Sequence, residues 1–201
     1  DYNSKKAALD QQVAENSAQL AVVASDGYRK AIEDASGGRN TVVIDDQGNP
    51  NVMVRIPRFN YEDINQAILD RLGVDLMLGT GTPTMFQRNG EQMGEVLIAK
   101  YLASSGANGG CSVIGGVQPS TSVNYDVAKA LCNNKGAGWH MMSIHEWAAI
   151  ALWSLANDTV PRGNTNYGRS HENKLETARR SDNGIPGDAS GLATVSYTHL
   201  T

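Results

Sequence analysis

The chain reads as an α+β fold in which a long N-terminal helix precedes a set of short, mostly antiparallel strands and further helices packed on them. Three observations predict it. Leu9, Val13, Asn16, Leu20, Val23 and Gly27 recur in steps of four and three, the spacing of one helical seam. Residues 41–59 place two apolar runs around Asp45-Asp46-Gln47-Gly48-Asn49-Pro50, a cluster dense in turn formers. All three tryptophans fall within residues 138–153, in a run that opens on a helix cap and continues with helical apolar spacing.

The bulk composition excludes several function classes. With 201 residues, 40% of them apolar, and 21 glycines, the chain holds one ordinary domain plus an accessory segment and is rich in turns. A net charge of −4, with no Lys/Arg cluster interleaved with aromatics, argues against a nucleic-acid partner. The apolar runs are far shorter than a membrane span, so no membrane insertion is expected.

Residues 1–35 form either a short coiled-coil stalk or a lone amphipathic helix. Tyr2 and Lys6 extend the seam backwards, and Asn16 occupies a core position where a buried amide fixes register. A coiled coil would make the protein a homo-oligomer, with a trimer as the working expectation. Ser36-Gly37-Gly38 closes this region. Strands follow at 41–44 and 51–59; in the second, Val52, Val54 and Ile56 face one way and Met53 and Arg55 the other. Residues 61–72 have helical spacing in Ile64, Ile68 and Leu72, acids in the first turn, and Gly73 just past the end. Residues 41–77 thus read as a strand–strand–helix adaptor.

The main domain is expected over 78–194. Residues 95–102, through Val96, Ile98 and Tyr101, read as a strand. Residues 104–122, with five glycines, read as a long surface loop, for they contain neither phosphate-binding glycine motif. Asn124 is an N-cap for a helix running to about residue 134, with Val127, Ala130 and Leu131 inward and Gly136 as the stop. Ser143-x-x-Glu146 is a capping box. Ile144, Trp147, Ala148, Ala151, Leu152 and Leu155 then form a stripe, with Ile150 and Trp153 on its flank. Residues 157–168 and 181–191 are loop-like.

The candidates for chemistry are few. His140 and His145-Glu146 invite a metal reading, but Ala149 stands where the zinc-protease pattern needs histidine, and Glu146 is already engaged in the cap. Asp182-Asn183-Gly184 with Asp188 lacks the spacing of a calcium loop and reads as a solvated turn; Arg179-Arg180 reads as exposed charge. Cys111 and Cys132, 21 residues apart and without a CxxC pair, read as two thiols, Cys132 on a helix, with a single disulfide as the alternative. No GxSxG elbow is present. We therefore assign no catalytic residue, no metal ligand and no cofactor, and leave the ligand-binding residues unassigned.

Met85-Phe86-Gln87-Arg88-Asn89-Gly90-Glu91 and Val96-Leu97-Ile98-Ala99-Lys100-Tyr101 resemble the opening strands of the formylglycine-generating-enzyme-like branch of the C-type lectin fold. Asn124-Tyr125-Asp126-Val127-Ala128, with Cys132, resembles its first helix, and the segment from Trp139 to Trp147 resembles the start of its second. Pro161-Arg162-Gly163-Asn164-Thr165-Asn166-Tyr167-Gly168 is similar to one subgroup, the retroelement-diversified variable proteins and their phage tail relatives. The resemblance spans roughly residues 80–192 and is most specific over 138–168. It implies a C-type-lectin-like domain of two helices and a mostly antiparallel sheet, truncated at its C-terminus. In that subgroup the domain displays a ligand-binding surface and does no chemistry, and its binding residues come later than Thr201. The catalytic cysteines of the enzyme branch also come late, and Cys111 and Cys132 do not match them. What carries over is structural: Glu146 as cap, with Trp139 and Trp147 as core. The implied function is a receptor-binding protein of the virion, at a phage tail, recognising a host cell-surface protein or glycan. The alternatives are a formylglycine-generating-like enzyme or its inactive relative, and an adhesin of the bacterial cell surface. Residues 195–201 look like a translated sequencing-adapter tail and are left out of the fold expectation.

Overall fold

The computed structural model describes residues 2–160, except the side chains of 2–4, 8–10 and 14–23. The candidates at Arg179-Arg180, Asp182-Asn183-Gly184 and Asp188, the 161–168 segment and the 195–201 tail lie outside the described residues. The architecture is mixed α+β with small antiparallel sheets.

Helix α1 (Tyr2–Ser36) is continuous over 35 residues, about 50 Å at 1.5 Å per residue. Val13, on the expected seam, is half-exposed. Ser36 ends the helix: its buried hydroxyl donates to the Ile32 carbonyl at 2.8 Å and accepts from Asn40 N–H at 2.9 Å. The last turns pack on the sheet, where the Thr41 hydroxyl donates to Glu33 at 2.6 Å.

Strands β1 (Asn40–Ile44) and β2 (Pro50–Pro57) form an antiparallel hairpin. Its turn is organised by Asp45, whose Oδ1 accepts from Gln47 N at 3.1 Å and Asn49 N at 2.8 Å. Helix α2 (Tyr61–Leu72) closes on Gly73, left-handed at φ 69°, whose N–H bonds Leu69 O. Ile64 and Ile68 are buried as the spacing predicts, but Leu72 is half-exposed.

A 3-10 turn, Thr84–Phe86, leads into a short hairpin of β3 (Gln87–Arg88) and β4 (Glu91–Gln92). The two residues between them, Asn89 and Gly90, both have positive φ, 51° and 83°, which is what a two-residue type I′ turn demands. Strand β5 (Glu95–Ala99) pairs antiparallel with β2, giving the sheet order β1-β2-β5. It stops before Lys100 and Tyr101, short of the 95–102 expected. The sheet therefore runs across residue 77, where adaptor and main domain were expected to meet. The expected loop 104–122 carries a small hairpin of its own, β6 (Ser104–Ser105) with β7 (Cys111–Ser112).

Helix α3 (Tyr125–Asn133) has the expected cap, Asn124 accepting from Val127 N at 2.9 Å. Its expected inner face is not buried: Val127 is half-exposed and none of its residues is fully buried. Helix α4 (Ile144–Ala156) starts with the complete capping box, Ser143 accepting from Glu146 N and Glu146 accepting from Ser143 N. Its rotation differs from the expected one. The buried positions are Glu146, Ala149, Ile150, Ser154 and Ala156, while Ile144 is 72% and Trp147 49% exposed. What was read as the flank is the centre of the buried face.

That face meets β2 and β5 in the main core of Val54, Ile56, Met85, Phe86, Ile98, Ala149 and Ile150, flanked by Trp153. Phe59 meets Phe86 edge-on, ring centres 5.2 Å apart, a favoured aromatic geometry. Full burial of side chains such as Ile56 and Phe86 contributes about 1.5–3 kcal/mol each. A second cluster, Ile64, Ile68 and Ala156, joins α2 to the end of α4. No helix among the described residues is long and apolar enough to cross a membrane.

Candidate functional site

The connection between α3 and α4, residues 134–143, is held from below by one buried lysine. The Nζ of Lys135 has three hydrogens, and each has an acceptor: Asp45 Oδ2 at 2.8 Å, Asn51 Oδ1 at 2.6 Å and the Cys111 carbonyl. The Lys135 and Asp45 side chains are 4% and 0% exposed. Asn51 completes the knot by donating to Asp45 Oδ2 and Asn49 O and accepting from Val113 N. Burial pushes the Asp45 carboxyl up, but Lys135, the Asn49 N–H and Asn51 outweigh it and hold the group below the ordinary carboxylate range. Trp139 covers the lysine, its ring centre 5.1 Å from Nζ.

Above this knot lies a cavity of about 370 Å³, bounded by β5, α3 and the 138–142 stretch. Its wall is mostly apolar, with Met53, Tyr101, Val113, Trp139 and Met141. Cys111 and Cys132 both line it and both are free thiols. Burial raises each thiol above the ordinary cysteine range, and the neighbouring Lys135 charge only partly offsets this. Such thiols stay protonated and are weak nucleophiles at neutral pH.

A second cleft, about 270 Å³, lies between the β3–β4 hairpin and the start of α4. His140 and Glu146 line both spaces. His140 Nε2 lies 2.7 Å from Glu146 Oε1, and its Nδ1 lies 3.2 Å from the Gly138 carbonyl. Glu146 Oε2 accepts from Ser143 N at 2.6 Å, so both carboxylate oxygens are occupied. Burial raises this carboxyl, and the Ser143 and His140 hydrogen bonds outweigh it, leaving it below the ordinary range. Arg88 reaches in from the hairpin over Gly138. Its Nη1 lies 3.0 Å from where a Cβ on Gly138 would stand, and Gly138 has φ +93°, so the backbone there calls for glycine.

The residues singled out from sequence are thus distributed unevenly. Glu146 is the cap, as expected, and also holds His140. Trp139 is half-buried on the cavity wall, but Trp147 is not core: it lies half-exposed on the outer face of α4. His145 is exposed, on the rim of the second cleft. No group of three or more His, Cys, Asp or Glu that could hold a metal ion occurs among the described residues. Sequence reasoning missed Lys135, Asp45 and Asn51 altogether. The signal available was a polar cluster, Asp45, Asn49 and Asn51, around a strand start that the hydrophobic pattern would bury.

No protein-family model matches the chain, and no curated protein matches it.

Proposed function

We propose that the chain is a non-enzymatic display protein that binds a host cell-surface protein or glycan from a phage tail. Its framework in this reading is a C-type-lectin-like domain, oligomerised through α1. The observation that carries the proposal is the state of the charged and thiol groups around the cavity. Lys135 has no hydrogen left to offer, both oxygens of Asp45 and of Glu146 already accept hydrogen bonds, and burial raises both thiols. These groups fix the backbone and are not poised to exchange protons or attack a substrate. Such a scaffold suits binding through loops that can vary while the core stays constant. The family resemblance supplies the rest of the reading, as an analogy of fold.

The test is adsorption of the purified, fluorescently labelled chain to bacterial cells, alongside incubation with a cysteine-containing peptide. Saturable adsorption with an unchanged peptide mass is the expected result. Conversion of the peptidyl cysteine to formylglycine would replace this reading with the enzymatic one. Immunolabelling that places the protein on the bacterial envelope instead of a virion would favour the adhesin.

A further inference from the structure

We propose that the cleft between the β3–β4 hairpin and the start of α4 binds one oxyanion group, a carboxylate or a phosphate, carried on a surface polysaccharide. Arg88 is its principal donor. The proposal rests on the display reading and names the chemistry of its partner.

Arg88 is positioned by two independent constraints. The type I′ turn at Asn89-Gly90 fixes the backbone from which it projects, and the bare α-carbon of Gly138 seats its guanidinium. Yet among the described residues this guanidinium has neither an ion pair nor a hydrogen bond. Glu91 stands directly opposite it across the hairpin without pairing. Arg29, Arg55 and Arg71 by contrast each meet a carboxylate within 4.0 Å. A placed, unpaired fork of N–H donors matches a carboxylate or phosphate in two parallel hydrogen bonds.

The neighbours suit the same ligand. His145, exposed on the rim, has no partner among the described residues and can donate from its ring. The Ser143 hydroxyl accepts the Glu146 N–H and is itself turned to the Glu146 carboxylate, so it serves the cap and leaves the ligand to Arg88 and His145. The one carboxylate in the wall, Glu146, is masked on both oxygens, by His140 and by the Ser143 N–H. Met85, Met93, Val96 and Leu97 add an apolar stretch of wall, a surface for the C–H face of a sugar ring, beside the polar Thr84 and Gln87. About 270 Å³ falls just under the usual range for small-ligand sites, so the cleft takes at most one sugar residue and an oligosaccharide extends outside.

The experiment is calorimetric or NMR titration of the whole chain with glucuronate, glucose 6-phosphate and glucose. At least one acidic sugar binds saturably, in the millimolar range expected of a single charged contact, and glucose does not. Glucuronate alone identifies a uronate-bearing polymer, glucose 6-phosphate alone a phosphate-bearing one, and binding of both an oxyanion site indifferent to source. Arg88→Gln weakens the acidic sugar about tenfold or more, and Arg88→Lys, which keeps the charge but loses the fork, falls between. Arg39→Gln, an arginine remote from the cleft, leaves affinity unchanged. Absence of saturable binding by either acid, equal binding of glucose, or an Arg88→Gln protein that folds and binds undiminished each overturns the proposal. Cell adsorption separates the two readings. If acidic sugars bind but no cells are adsorbed, the display reading falls and the cleft stands. If cells are adsorbed but no acidic sugar binds, the cleft falls alone.

Discussion

Replacing Lys135 with methionine removes the cation from the knot while keeping most of the side-chain volume. Asp45 Oδ2 is then left with Asn51 Nδ2 at 3.3 Å as its one side-chain donor, and the Cys111 carbonyl loses its lysine hydrogen bond. The side chain of Asp45 is 0% exposed, so water cannot take over the lost role. Breaking a buried pair by deleting one partner costs about 3–5 kcal/mol. That is a large share of the roughly 5–15 kcal/mol that holds an ordinary domain. Urea unfolding followed by far-UV circular dichroism and by tryptophan fluorescence reads the loss. Lys135→Met combined with Asp45→Asn removes both charges and recovers part of it, giving a coupling of about 2 kcal/mol in the double-mutant cycle. A single-variant loss below about 1 kcal/mol, or a coupling near zero, would refute the claim that this pair is buried and holds the 134–143 connection.

The rotation of α4 predicts an asymmetry between its two apolar faces. Ile150→Ala lowers stability by about 2–5 kcal/mol and Trp147→Ala by clearly less, measured by the same unfolding curves; the reverse order would restore the rotation expected from sequence. Asp45 and Glu146 are both held below the ordinary carboxylate range in the fold. The unfolded chain therefore takes up their protons first as pH falls. Their contribution is full above about pH 5 and is lost as pH drops through the lower folded values, so the urea midpoint falls as pH is lowered from about 5 to below about 4. A midpoint that stays flat over that interval contradicts the donor networks. Because burial raises both thiols, Cys111 and Cys132 react with an aromatic disulfide reagent about tenfold or more slowly at neutral pH in the folded chain than in urea. Equal rates would show that they are accessible thiolates.

Much of the local structure was legible because it is set by short-range chemistry. The Asn124 cap, the Ser143–Glu146 box, Gly73 past α2 and the turn after β1 each depend on residues within a few positions of one another. The orientation of α4 was not legible, for a specific reason. Apolar residues cover most of its circumference, so periodicity does not choose a face, and two of its few polar residues, Glu146 and Ser154, point inward. Glu146 does so because the cap and His140 satisfy it there. The stripe on α3 is real in sequence but half-exposed in the fold. Lys135 was hidden because its partners lie 24 to 90 residues away, and nothing local marks a lysine after two asparagines as buried. Arg88 stood in the sequence inside a family-like segment, but only in three dimensions is its guanidinium seen to lack a partner among the described residues.

The central claim is that this scaffold binds a cell surface and performs no chemistry, and adsorption measures it most directly. Labelled chain should bind to host cells saturably and be displaced by excess unlabelled chain, with no change in a cysteine-containing peptide present throughout. Non-saturable adsorption across a broad panel of cells, together with oxidation of that peptide, would contradict it.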